Sequence, residues 1–351
     1  MTEREKLIRC LKRQDRVNIP FDIGFNPEAN RQFSGRLQGK CEREYFRCPS
    51  RSVYPDFLMA RQPVNNEFLY PGGIPKGAYV DEWGICTTEK KGLVHVINPM
   101  KDFEDVEQLK DYPFPDYTNP ACYAKLKEQV KRIHEEGLAA VVKAERMIFA
   151  MGRDLRGYEN HLMDYCINEE FNEALLDRIL KCQKDLIRGM AQSGADIIWL
   201  SSDVASQTNV FLRPEMYHET IAWRMRELYK TAKEANPDIL CAYHCCGNVK
   251  PIMEDILDFG IDILNPIQPE SLDFESFKKE YGSSLVLWGG ISVQHTLPFG
   301  TQEEVRREVR RVYSMLGEGG GLVISPCNEI TEDIPWSNME AMIGEARRYW
   351  Q

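Results

Sequence analysis

Nowhere does the chain approach the ~18 uninterrupted apolar residues of a membrane-spanning helix, and Met1-Thr2-Glu3-Arg4-Glu5-Lys6 offers no apolar core for a secretory signal. Positive charge is short as well. The formal charge of −10 argues against non-specific nucleic-acid binding and against docking on anionic membranes. No Cys-x-x-Cys pair occurs among the 11 cysteines, which excludes the usual paired ligands of structural zinc. Without a signal peptide, those cysteines read as reduced thiols and not as a disulfide framework. No Gly-x-Gly-x-x-Gly follows an apolar run, which removes the dinucleotide-binding fingerprint. What is present, 43% hydrophobic and 28% charged residues over 351 positions, suffices for a sizeable core. The expectation is a cytoplasmic enzyme or metabolite binder.

The first segment has helix signals. Thr2 and Glu5 have capping-box spacing, and Leu7, Ile8 and Leu11 form an apolar stripe. Val17 to Ile23 reads as a strand. From Asn26 to about Pro120 the pattern is irregular, with Asp81–Cys86 and Gly92–Ile97 as two hairpin arms around Glu89-Lys90-Lys91. After Pro120 strands and helices alternate. Strands are expected at Ala139–Val142, Asp196–Leu200, Ile239–Tyr243, Asp262–Leu264, Leu285–Trp288 and Leu322–Ile324. Between them lie helices through Tyr123–His134 and Phe171–Met190, one opened by Pro214, two ending near Gly260 and Gly282, and one capped by Thr301 and Glu304. A last helix runs through Met339 to Trp350. With the opening strand this makes seven strands, and one short or hidden strand would complete eight. The fold class expected is therefore α/β, a (β/α)₈ TIM barrel spanning 1–351 as a single domain, with an irregular, hairpin-containing insertion at about 26–120.

Such barrels carry their active sites at the C-terminal ends of the strands. The residues there are Asp22, Glu145 and Arg146, Ser201 to Asp203, His244 to Cys246, Gln268, Gly289-Gly290 and Cys327. In extended backbone, residues two apart share a side, so His244 and Cys246 would project together and Cys245 would face away. Imidazole and thiolate form a soft half-site suited to Zn²⁺. Cys327 closes the last strand and would face the same mouth. Three ligands with one open position is the pattern of catalytic zinc. Residue types and spacing leave two readings open, a zinc centre or three buried side chains without metal. Asp203 and Glu145 are candidate catalytic residues, as a resting fourth ligand or to orient substrate. Gln207, Gln268, Tyr243 and Asp81 are candidate substrate-binding residues. For the glutamines the competing role is pinning a loop, for Tyr243 and Trp288 it is packing, and Asp81 with Trp83 would sit on a lid over the mouth.

Several segments together resemble the uroporphyrinogen decarboxylase superfamily: Ser193-Gly194-Ala195-Asp196, Asp203-Val204-Ala205-Ser206-Gln207, His244-Cys245-Cys246-Gly247, Asp262–Pro269, Leu287–Ile291, Gly319-Gly320-Gly321 and Asp81-Glu82-Trp83-Gly84. The resemblance implies the barrel and two chemistries. The decarboxylases bind a polycarboxylate porphyrinogen through arginines of an N-terminal Met-Arg-Gln-Ala-Gly-Arg segment. Here the corresponding Ile19–Asn26 has no arginine, and Met59-Ala60-Arg61-Gln62-Pro63 is an imperfect and distant echo. The other branch, corrinoid-dependent zinc methyltransferases such as methylcobamide:coenzyme M methyltransferase, carries His-x-Cys with a distant Cys. That likeness implies His244, Cys246 and Cys327 as Zn²⁺ ligands, although Asn328-Glu329-Ile330 departs from many relatives. It further implies methyl transfer between a methyl-corrinoid, carried by a corrinoid protein partner, and a small-molecule methyl acceptor, a thiol or a pterin. A metal-free decarboxylase of a carboxylated substrate and a non-catalytic metabolite or corrinoid-protein binder are the alternatives. Assembly as a homodimer is compatible with this reading.

Overall fold

Strand-forming segments rich in Ile, Val and Leu recur at regular intervals, and in the computed structural model they line up side by side. The structure describes residues 1–63, 66–90 and 93–351. Ser50–Val53 (β1), Ala139–Ala144 (β5), Ile197–Ser201 (β6), Leu240–His244 (β7), Ile263–Ile267 (β8), Val286–Ile291 (β9) and Leu322–Pro326 (β10) form one parallel sheet in the order β1-β5-β6-β7-β8-β9-β10. Tyr79–Val80 (β2), Cys86–Lys90 (β3) and Leu93–Ile97 (β4) make a separate antiparallel sheet. Helices cover the outside of the curved parallel sheet, which is the (β/α)₈ TIM-barrel architecture expected. Among the described residues no helix is long and apolar enough to cross a membrane.

Two expectations change. Val17–Ile23 contributes only a bridge from Phe21 to Ile324, with Ile324 N–H donating to Pro20 O at 2.9 Å and Asp22 N–H to Ile324 O at 3.0 Å. Pro20 has no N–H for a ladder, and the Val17 and Asn18 amides already donate to the Asp15 carboxylate. The hidden strand is β1. It lies inside the segment read as irregular and pairs with β5 from Ser50↔Ala139 to Val53↔Val142. The first hairpin arm also starts later than expected. Asp81–Ile85 is a turn in which Asp81 Oδ1 accepts from the amides of Trp83 and Ile85, and β3 begins at Cys86. The charged turn expected at 89–91 extends outside the described residues.

Alternation along each strand sorts the side chains. Ala139, Val141, Ile197, Leu240, Ala242, Ile263, Val286 and Val323 fill the lower interior. Val142, Ile198, Leu200, Tyr243, Leu264 and Ile324 face the helices in the outer core. Helix Glu3–Leu11 has its expected capping box, and its Leu7 and Leu11 join the inner cluster at the end where the strands begin. Trp199 and Trp288 meet edge to face at 5.2 Å and close that apolar interior from above.

Candidate metal centre at the barrel mouth

Above the two indoles the inward positions become polar. Ser201, His244 and Asn265 are register partners across β6, β7 and β8, and Lys143 and Ser325 occupy the corresponding parts of β5 and β10. The β7 loop then turns over this layer. Cys246 N–H donates to Asp203 Oδ1 at 2.9 Å and Gly247 N–H to Gln268 Oε1 at 2.6 Å. Gly247, at φ +97°, lies where a Cβ would come within 2.3 Å of Ser206 O, so the turn requires glycine.

Asp203, His244 and Cys246 each offer a ligand atom, all within 4.8 Å of one another. His244 Nε2 is 3.7 Å from Cys246 Sγ and 3.9 Å from Asp203 Oδ1. Zinc–ligand lengths of ~2.0–2.3 Å put tetrahedral donors roughly 3–4 Å apart, so these residues suit Zn²⁺ with little movement. Asn265 fixes the imidazole. Its Nδ2 donates to Trp288 O at 3.1 Å, which turns Oδ1 toward His244 Nδ1 at 2.5 Å. The proton then belongs on Nδ1 and the free lone pair on Nε2, facing the thiol and the carboxylate. Burial, with Asp203 beside it, pushes the Cys246 thiol above its ordinary range.

Cys327 lines the same cavity as His244 and Asp203 but stands outside the three-residue cluster. It is buried, which pushes its pKa well up, and the protonated Sγ donates to Ile267 O at 3.1 Å. Asn328 Nδ2 instead lies 3.7 Å from Cys246 Sγ. Cys245 faces away as expected and accepts from Val204 N–H.

The cavity has a volume of about 280 Å³. Glu145 is on its wall and exposed. Arg43 forks onto Asp22 at 2.9 and 3.1 Å and also bonds Glu42. Lys143 is different. It lies 4.7 Å over the Trp199 ring, and burial, helped by Arg43, pulls its ammonium down to about 8 against Asp22, Glu329 and Glu145. Burial pushes Glu329 above the usual carboxylate range, with Lys143 opposing and Glu145 adding. Sequence reasoning missed Lys143, although the two-residue period from Ala139 and Val141 marks it as the next inward position.

The expected substrate-binding residues scatter. Tyr243 is a correction. It is fully buried on the outward side of β7, its hydroxyl donates to Ser202 O and its ring meets Phe259, because odd and even positions of one strand cannot share a face. Gln268 is buried and holds the Gly247 amide. Gln207 is exposed and bonds Gln294, beside a separate groove. Asp81 is buried in an ion pair with Arg146 at 2.7 Å, on the wall of a neighbouring hollow that also includes Glu145.

Comparison with known proteins agrees with this architecture. A methyltransferase from Methanosarcina mazei is similar in structure, with a TM-score of 0.72 at 18% identity over 99% of both chains. A B12-independent methionine synthase from Shewanella sp. W3-18-1 gives a TM-score of 0.42 at 14% identity, over 63% of this chain and 64% of that one, too loose a likeness to bear on this chain. None of the curated proteins matches in sequence. The family profile described as uroporphyrinogen decarboxylase matches residues 84–349. With most of the chain covered by that match, the protein belongs to the uroporphyrinogen decarboxylase family.

Proposed function

We propose that the protein is a zinc-dependent methyltransferase that moves a methyl group between the methyl-corrinoid of a partner corrinoid protein and a thiol or pterin acceptor. The observation that carries this reading is the Asp203–His244–Cys246 cluster, with His244 held by Asn265 so that Nε2 faces the other two donors. His244, Cys246 and Cys327 would be the protein ligands. A neutral imidazole and two thiolates balance the charge of the ion and leave one position for the acceptor. Cys327 would serve as the third ligand as a thiolate, having given up the proton that it now donates to Ile267 O. Bound Zn²⁺ supplies a thiolate at neutral pH from a thiol that otherwise titrates near ~8.5.

The chain's own residues do the remaining work. Asp203 pins the Cys246 amide and keeps a carboxylate beside His244 Nε2, as a resting ligand or an orienting group. Among the described residues Glu145 has no hydrogen bond and lines the cavity, so its carboxylate is available to take the acceptor's proton. Lys143 places positive charge over the Trp199 ring, whose centroid is also 6.1 Å from that of His244.

Family membership alone also favours a decarboxylase acting without metal. The cavity's guanidinium, Arg43, is already engaged by Asp22 and Glu42, which supports the methyltransferase over a polycarboxylate enzyme. One experiment separates the two. Protein purified without chelators is assayed for zinc by elemental analysis and for thiol-dependent demethylation of methylcobalamin by absorbance. About one zinc per chain, lost with the activity in Cys246→Ser, supports methyl transfer. Zinc-free protein that decarboxylates and is indifferent to that substitution would overturn it.

A further inference from the structure

Beside the metal cavity lies a second hollow of about 380 Å³, between the Asp81–Gly84 turn and the loop after β5. Glu145 lines both. Tyr54, Phe57 and Tyr79 line this hollow and also an outer groove of about 320 Å³ that opens beside Lys125 and Gln129. The three aromatic side chains thus stand between the surface groove and the hollow, and Glu145 stands between the hollow and the metal cavity.

Those three aromatics differ from their neighbours. Other rings of the same region find each other, as in Trp83–Phe114 at 6.3 Å, Trp83–Tyr117 at 6.2 Å and Tyr112–Phe114 at 4.9 Å. Among the described residues Tyr54, Phe57 and Tyr79 have no ring contact, and Tyr54 and Tyr79 are 44% and 53% exposed. Aromatic faces left open around one hollow suit an incoming ring, since ring pairs gain beyond the area they bury.

Charge narrows the ligand. The hollow's cation, Arg146, is held by Asp81, and Glu82 accepts from the Tyr117 hydroxyl at 2.7 Å. No free positive group remains among the lining residues for an organic anion. Glu145 remains as an acceptor at the junction. Its loop is held rigidly. Arg146 and Ile148 have φ of +61° and +34°, unusual for side chains of that size. Gln183, fully buried, braces both, accepting from Ile148 N–H and donating to Arg146 O at 3.0 Å each. Residues kept in such conformations cluster at ligand clamps.

We propose that this hollow is a ring-binding subsite for an uncharged, hydroxylated aromatic substrate, whose hydroxyl donates to Glu145 and whose adjoining substituents face the metal cavity. Its identity as part of the methyl-transfer substrate rests on the function proposed above, whereas the binding site itself does not. The test is calorimetric titration with phenol and with cyclohexanol, which matches it in hydroxyl and size but is not flat. Phenol should bind about tenfold more tightly than cyclohexanol, and Tyr79→Leu or Phe57→Ala should each weaken phenol by about fivefold. Tyr79 is exposed, so its variant should fold even if Phe57→Ala does not. Cys246→Ser, or wild-type protein stripped by chelator, should bind phenol as the intact chain does. Phenol binding that survives there while methyl transfer fails leaves the subsite standing without the proposed function. Absent phenol binding, equal affinity for the two alcohols, or binding lost with Cys246→Ser and stripping but unaffected by Tyr79→Leu would overturn the subsite.

Discussion

Halfway up the barrel the interior changes character. Below the Trp199–Trp288 pair it holds Ala, Val, Ile and Leu packed without polar atoms from their side chains. Above that pair, the same strands present Lys143, Ser201, His244, Asn265 and Ser325. The residue types change between the two halves, and in the upper half β8 and β9 also leave regular strand geometry, with a register shift between Leu264 and Ile267 and positive φ at Gly289 and Gly290. The lower half uses its inward positions for stability and the upper half for chemistry, so a substitution in one should leave the other's property largely intact.

That separation can be broken in four ways. The largest effect is expected from Cys246→Ser. Losing a proposed ligand should reduce methyl transfer by more than the ~10–100-fold that loss of a supporting hydrogen bond costs a metal site, with little change in the melting temperature of the metal-free protein. The absorbance assay and calorimetry read the two properties. Ile197→Ala, in the lower half and fully buried, should cost about 2–4 kcal/mol by urea unfolding while transfer per folded molecule is retained. A large loss of transfer there would join the halves. Asn265→Ala should weaken metal binding by about 10–100-fold in competition with a chromophoric chelator, through loss of the bond that holds His244 Nδ1.

Lys143→Met should give the smallest effect, and one that depends on pH. The folded-state value of Lys143, about 8, lies below its ordinary 10.5. Between these values the unfolded chain binds more protons, so this group's contribution to stability rises with pH. Below pH 8 the buried ammonium is a cost. The methionine variant should therefore be more stable than the parent at pH 7, and the advantage should shrink by pH 10 in paired urea titrations. An advantage that grows with pH would contradict the depressed value.

Much of this division was readable in the chain itself. Six strands after Pro120 stand out because buried parallel strands are short apolar runs between helical patterns. The pairing of His244 with Cys246 followed from a two-residue period. β1 was hidden because Ser50-Arg51-Ser52-Val53 has a single large apolar residue, and its pairing with β5 is made by distant backbone. The strand seen at Val17–Ile23 fell to a proline and to Asp15. Asp203 could be placed at a strand end, but only the Cys246 amide bond shows how close it comes to His244. Cys327 reached the right cavity, yet the direction of its thiol depends on a carbonyl sixty positions away, at Ile267. Asn265 was invisible as a partner of His244 for the same reason, since its amide is oriented by Trp288 O on a third strand.

Leu7 and Leu11 stopper the barrel where its strands begin, and this makes the molecule a cul-de-sac. Whatever enters must therefore come and go on the upper side of the indole pair, because the far end offers no exit. Removing the first eleven residues would open a back door at the far end, and solvent reaching the underside of the indole pair would be the first sign of it.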